Sequence, residues 1–352
     1  MTDRMLQLLV GAEARFQIER HGLVPSLFDK WIAASGGPKW LPLAALDRHL
    51  FTDFFSPSQS ITLLGSSSGS WRSAALCHPD ALKTHLTLQQ QYIALPYSKH
   101  ASAKQMAELC QQMLATVFPQ NSRQALLANP HRHLTVITCH GRGLAASENR
   151  TLATAAAFIS TLANAIDRRY LGLFWRRWVL HAKGNNPFTA MTDLPTYSTQ
   201  LTADGLVDAL LASGSIPIML PGVLDLPNAE PGLYFDGGVT DYHLDLPALQ
   251  HGKLTLYPHF YPYAVPGWFD KSLPWRRAKA NFRKVAMLAP TPEFIAQLPG
   301  KRLPDRRDCG HLSEAVRVQQ WRQAAELGQQ LTECFAAIEQ DPMRYMVNIA
   351  EE

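Results

Sequence analysis

Several short runs of apolar and β-branched residues, at 27–34, 61–64, 133–139 and 253–257, punctuate the first two thirds of the chain, some of them ending in glycine or serine. Uninterrupted runs of this kind are how strands buried on both faces of a parallel sheet read, because no polar alternation is needed where neither face meets water. Helical periods lie between them at 41–50, 70–77, 105–117 and 151–170, with Met106, Leu109, Met113 and Val117 on one face of the third. Strands alternating with helices predict an α/β fold: three layers, α/β/α, with a mostly parallel central sheet and helices on both faces. The expected domain is 1–257, with its core at about 24–257.

Beyond that point the texture changes. Residues 257–304 are rich in proline, aromatic and basic residues with little clean periodicity, which reads as a long surface excursion. A last helix is expected over 313–340, with Val318, Trp321, Ala325, Leu331, Phe335 and Ile338 at helical spacing, Ser313 as its cap and Asp341-Pro342 as its stop. The whole of 258–352 is therefore expected to pack on the same domain as a basic, aromatic excursion followed by a helical extension. There is no internal repeat.

Composition narrows the function classes. Lys and Arg number 33 against 29 Asp and Glu, and a net +4 is too small to mark a nucleic-acid binder, so no nucleic-acid partner is expected. Five widely spaced cysteines, Cys77, Cys110, Cys139, Cys309 and Cys334, offer no C-x-x-C pair and suit a reduced, cytoplasmic setting. The N-terminal apolar stretch is too short and too acidic at its flanks for a secretory signal. The run 151–166 falls short of the roughly 20 residues of a membrane-spanning helix and reads as a buried helix. The pairs His131/His133 and Cys139/His140 sit at opposite ends of one expected strand without an acidic cluster, so no metal site and no cofactor are expected.

The sharpest local signal is Gly65-Ser-Ser67-Ser-Gly69, a strand running through G-x-S-x-G into a helix. A serine on such a turn has strained backbone angles and an exposed hydroxyl, and the helix N-terminus behind it, notably the Ser68 N–H, favours a developing oxyanion. Only Ser67 has glycines on both flanks; the plainer alternative is a Ser/Gly-rich turn. Upstream, Ser35-Gly36-Gly37-Pro38-Lys39 follows an expected strand, and Gly36 and Gly37 are candidate N–H donors to an anion, with Lys39 adding positive potential. A proline-stiffened turn explains that stretch equally well. Downstream, Phe235-Asp236-Gly237-Gly238 puts an acid at the end of a strand-like run, so Asp236 is the candidate base for the serine proton, unless the segment is an Asp-Gly hairpin turn. The segment 212–217 taken alone is only a loop.

In chain order, the Gly36-Gly37-Pro38-Lys39 loop, Gly65-x-Ser67-x-Gly69, the Ala-Ser-x-x-Ile-Pro segment at 212–217 and Asp236-Gly237-Gly238 together resemble the patatin-like phospholipase family, over roughly 24–241. The family loop usually carries glycines where this chain has Ser35 and Trp40. The resemblance implies a Ser67–Asp236 dyad without histidine, an oxyanion loop at Gly36, Gly37 and Lys39, Gly65, Gly69, Gly237 and Gly238 in supporting positions, and hydrolysis of phospholipid or related lipid esters without a cofactor. Two alternatives stand beside it. An α/β-hydrolase triad would draw its histidine from His243, His259 or His311, and a non-catalytic lipid- or partner-binding protein would keep the fold while the altered loop stabilises no oxyanion.

The basic stretch bears on partners. Residues 271–307 hold ten Lys or Arg and two acids, beside Tyr257, Phe260, Tyr261, Tyr263, Trp268, Phe269, Trp275 and Phe282. With Arg168-Arg169-Tyr170 and 174–178 this suits peripheral docking on an anionic membrane surface, although a solvated rim with inward-folded aromatics accounts for it as readily.

Overall fold

The computed structural model describes residues 4–97, 101–278 and 280–349. The apolar runs become strands of one sheet whose order is β11-β1-β10-β9-β2-β3-β4-β5-β6, with β8 on β4 and β7 on β8. Their ranges are β1 Leu6–Val10, β2 Phe28–Ala33, β3 Ile61–Ser66, β4 Arg132–Gly141, β5 Trp175–His181, β6 Thr196–Gln200, β7 Val223–Leu224, β8 Leu233–Asp236, β9 Leu254–Pro258, β10 Val285–Pro290 and β11 Met346–Asn348. The fold is α/β and the sheet is mixed. The block β10-β9-β2-β3-β4 is parallel, as are the pairs β1–β11 and β5–β6, whereas β1–β10, β4–β5, β4–β8 and β7–β8 run antiparallel. All ten residues of β4 are buried, and so are all ten of the helix Ser68–Cys77 that lies on β3 and β4.

Three expectations change. The stretch read as a surface excursion contains β10, whose six residues are all buried between β9 and β1; the basic, proline-rich text on either side masks a strand too short to show a period. The main hydrophobic cluster accordingly extends from Leu6 to Tyr345, so the residues after 257 help to build the core. Secondly, the last helix is two, Glu314–Leu327 and Gln329–Gln340, with Ser313 accepting from the Val316 N–H at 3.4 Å. At the joint, a Cβ on Gly328 would stand 2.1 Å from the Pro42 carbonyl oxygen, so only glycine allows this approach to the turn Gly37–Leu43. Thirdly, the helix at 151–170 spans Arg150–Ile166 and is not buried: its large apolar side chains face solvent.

The antiparallel step from β4 to β5 explains where that helix sits. A connection between antiparallel neighbours starts and finishes at one end of the sheet. Here it is the end at which β3, parallel to β4, also terminates. A second, smaller hydrophobic cluster, including Ala156, Ala157, Trp175, Phe235, Val239 and Phe269, lies beneath the helix. Lys279, one of the ten cations counted between 271 and 307, lies outside the described residues.

Candidate active site

β3 stops at Ser66, opposite Ile137 of β4, and the next residue of β4, Thr138, pairs with Asp236 of β8. β8 thus takes over the edge of β4 where β3 leaves it. That handover brings together Ser67 and Asp236, 169 positions apart in the chain, with the Ser67 hydroxyl donating to Asp236 Oδ2 at 2.6 Å.

Ser67 lies at φ 56°, ψ −133°, a conformation that costs a side-chain-bearing residue about 1–3 kcal/mol and persists only when its surroundings hold it. The surroundings here are specific. A Cβ on Gly65 would stand 2.3 Å from the Gly69 carbonyl oxygen and one on Gly69 2.0 Å from that of Ala33, so the two glycines let strand, turn and helix backbones touch. The Ser67 N–H donates to Ser213 Oγ at 2.9 Å, and Ser213 Oγ donates in turn to the Ile137 carbonyl at 2.7 Å. The Ser67 carbonyl accepts from the Ser70 N–H at 2.9 Å and from Ser70 Oγ at 2.6 Å. Two residues on from Ser213, the Ser215 carbonyl accepts the Asp236 N–H at 2.9 Å. The segment that alone reads only as a loop therefore braces both members of the pair.

Asp236 is buried, its Oδ1 accepting the Gly238 N–H at 2.7 Å. Burial pushes its carboxyl up to about 6, against the opposing pull of the Ser67 hydroxyl, the Gly238 N–H and, more weakly, Arg306 and Lys271. A Cβ on Gly237 would stand 2.2 Å from the Ile137 carbonyl oxygen and 2.7 Å from Ser66 Oγ, and Ser35 Oγ, next to Gly238, donates to Ser66 Oγ at 3.0 Å.

A cavity of about 260 Å³ opens over the pair, lined by Gly36, Gly37, Ser67, Asp236 and Gly238 together with Trp175, Trp268 and Phe269. A second lobe of about 650 Å³ adjoins it at Gly37, Ser67 and Ile216, reaches Ser68, and is walled by Trp71, Tyr92, Met106 and Leu220. The N–H groups of Gly36, Gly37 and Ser68 have no protein acceptor among the described residues. Trp40 is buried against His85 and Tyr92, whereas Ser35 lines the cavity.

The chain matches no protein-family model and no curated protein.

Four cations border the first lobe. Lys39 pairs with Asp305 Oδ2 at 2.7 Å, and Arg307 with Oδ1 of the same carboxylate at 3.0 Å. Arg306 and Lys271 have no carboxylate partner among the described residues. Lys271 reaches solvent, yet desolvation against the Tyr242 ring, 3.8 Å from Nζ to the ring centroid, together with the charges of Lys39 and Arg306, pulls it down to about 7. Sequence reasoning placed Lys39 at the candidate oxyanion loop, but noted Lys271, Arg306 and Arg307 only as basic text and had no signal for their place at the cavity. Nor did it find Ser213 and Ser215, whose roles depend on which strand their helix ends beside.

None of the three candidate imidazoles shares a hydrogen bond with Ser67 or Asp236 among the described residues. His243 Nδ1 accepts the Val265 N–H at 3.0 Å, His259 Nδ1 accepts that of Tyr261 at 3.0 Å, and His311 lines the second lobe. Burial holds His243 well below its ordinary value, and burial takes His259 down to about 3, so both rings are neutral at pH 7.

Proposed function

We propose that this protein is a serine acyl hydrolase of lipid esters, of the phospholipase A or lysophospholipase type, akin to the patatin-like phospholipases its motifs resemble. The observation that carries the reading is the 2.6 Å hydrogen bond from a backbone-strained Ser67 to a buried Asp236, on the floor of a cavity edged by unspent N–H groups. In this reading Asp236 takes the Ser67 proton as the serine oxygen attacks the ester carbonyl carbon. The oxyanion that forms is held by the N–H groups of Gly36, Gly37 and Ser68. Collapse of the tetrahedral species breaks the ester bond, and the departing alcohol takes the proton from Asp236. Water then attacks the acyl-enzyme, gives its proton to the same carboxylate, and the fatty acid leaves as that proton returns to Ser67. The apolar second lobe suits an acyl chain. Arg306 and the protonated form of Lys271, neither with a carboxylate partner among the described residues, suit a phosphate-bearing alcohol portion.

Hydrolysis of a short-chain ester by the wild-type chain beside Ser67→Ala and Asp236→Asn tests the dyad. Each variant is expected to lose on the order of a thousandfold or more in rate. Undiminished turnover in either excludes the mechanism. A fluorophosphonate probe, which needs an activated serine, is expected to label Ser67; a folded protein that stays unlabelled is a lipid- or partner-binding protein instead.

A further inference from the structure

The helix Arg150–Ile166 is amphipathic the wrong way round for a helix packed on a protein in water. Its inward residues are small or polar: Ala156, Ala157, Ser160 and Asn164 are buried. Ser160 Oγ accepts from Trp175 Nε1 at 3.0 Å, and Asn164 Nδ2 donates to Asp270 Oδ1 at 2.7 Å. The large residues Leu152, Phe158, Ile159, Leu162 and Ile166 point outward, Phe158 being 64% and Ile166 76% exposed. At about 100° per residue these five fall within one arc of about 120°. Globular helices turn such an arc toward the core. Trp275, 74% exposed, extends the patch past the helix C-terminus, where Arg276 Nη2 donates to the Ala165 carbonyl at 3.1 Å. Leu144 extends it from the turn Gly143–Ala146, which packs on the same helix, and Tyr170 and Leu173 from the turn Arg168–Leu173.

The rim of this patch is cationic. Arg150 at the helix start and Arg277, next to the Arg276 that reaches the helix C-terminus, have no carboxylate partner among the described residues; Arg168, Arg169 and Arg276 are paired with Asp167, Asp241 and Asp270, and Lys271 lies over the Tyr242 and Trp268 rings at the cavity. Ala157, on the inner face of the helix, and Trp268, beyond its C-terminal end, line the cavity over Ser67. No helix among the described residues is long and apolar enough to cross a membrane, so an apolar face of this kind can lie in a lipid interface without spanning it.

We infer that the outward face of Arg150–Ile166, with Trp275 and its cationic rim, docks on a lipid layer carrying anionic headgroups and seats the mouth of the Ser67 cavity against that layer. Aromatic side chains at the edge and cations around it match the headgroup level, and five large apolar side chains match the acyl boundary below. A second copy is the poorer occupant, because a two-fold contact would set this cationic rim against itself. What the docked surface delivers to the cavity rests on the hydrolase reading; the docking itself does not.

The test uses the full chain carrying Ser67→Ala and pelleted vesicles, either phosphatidylcholine alone or equal parts phosphatidylcholine and phosphatidylglycerol. Strong binding to the mixed vesicles, weakened by salt, is expected. Phe158→Ser and Leu162→Ser should each reduce it by about tenfold, with Trp275→Ser as a second site off the helix. Phe16→Ser, an exposed phenylalanine on the distant helix Ala12–His21, should leave it unchanged. Binding that is absent, or equal in all variants, overturns the assignment. So does a lipid-free dimer that dissociates on Phe158→Ser. With Ser67 intact, Phe158→Ser should turn over a soluble short-chain ester at the wild-type rate. Vesicle binding without ester turnover retains the docking face and removes the hydrolase; turnover without vesicle binding does the reverse.

Discussion

At Asp236, burial makes the folded chain hold a proton more tightly than the unfolded chain, in which the carboxyl titrates at its ordinary value of 3.8. Between about 4 and 6 the folded state therefore binds the extra proton, and the stability this group contributes is present below about 4 and lost as pH rises through about 6. Above that pH the buried carboxylate costs up to roughly 3 kcal/mol. Asp236→Asn, which keeps the shape without the charge, is expected to unfold at a higher temperature than wild type at pH 8, with the difference vanishing below pH 4. Thermal unfolding across that range measures it, and a variant no more stable than wild type at pH 8 contradicts it. Turnover of a soluble ester should rise with pH through about 6, as the carboxylate that accepts the serine proton forms. The residue types were readable from the chain, but of the four glycines around Ser67 and after Asp236 only Gly65, against the Gly69 carbonyl, meets a local requirement of its turn; Gly69 is required by the Ala33 carbonyl of β2 and Gly237 by the Ile137 carbonyl of β4. The raised carboxyl was not readable, since it depends on what burial surrounds it.

Between elements, the decisive contact is the end of the helix Leu206–Gly214 against the turn after β3. Ser213 accepts the Ser67 N–H there, and without it that buried donor has no partner. Ser213→Ala is expected to cost about 1–3 kcal/mol of stability. Turnover should fall through kcat with KM for a short ester little changed, because the side chain acts on the backbone of Ser67 and not on substrate. Steady-state kinetics beside thermal unfolding separate this from a purely structural loss, which would leave kcat of the folded fraction intact. β3, its turn and the helix Ser68–Cys77 were legible because they are contiguous and regular. The place of β8 was not, since it is a register against β4 set by a strand about a hundred positions away. Helix Arg150–Ile166 shows a different limit. Its period tells which residues share a face, but nothing in the period says whether that face meets the core or the solvent.

Across the whole molecule, the two ends of the described chain close one margin of the sheet. β11 pairs with β1, the Leu8 N–H donates to the Tyr345 carbonyl at 3.1 Å, and the Ile349 N–H donates to the Val10 carbonyl at 3.0 Å. In the sheet order this margin lies beyond β10, β9 and β2 from the strand that carries Ser67. Truncation after Tyr345 should therefore lower the thermal midpoint by a few degrees, on the order of 2–4 °C for each kcal/mol lost, and leave soluble-ester turnover unchanged. A truncated chain that stays folded but loses turnover would show the margin and the site to be coupled.

The amino-acid sequence by itself determined the elements whose causes are local: buried strands from uninterrupted apolar runs, the strained serine turn from the Gly65 that lets it close against Gly69, the cap at Ser313. Tertiary structure alone decided that Asp236 meets Ser67, that β10 completes the core from within basic, proline-rich text, and that the large side chains of Arg150–Ile166 face outward. Each of these depends on strand order and register, and those are settled by the sum of many weak long-range contacts that no short stretch of chain contains.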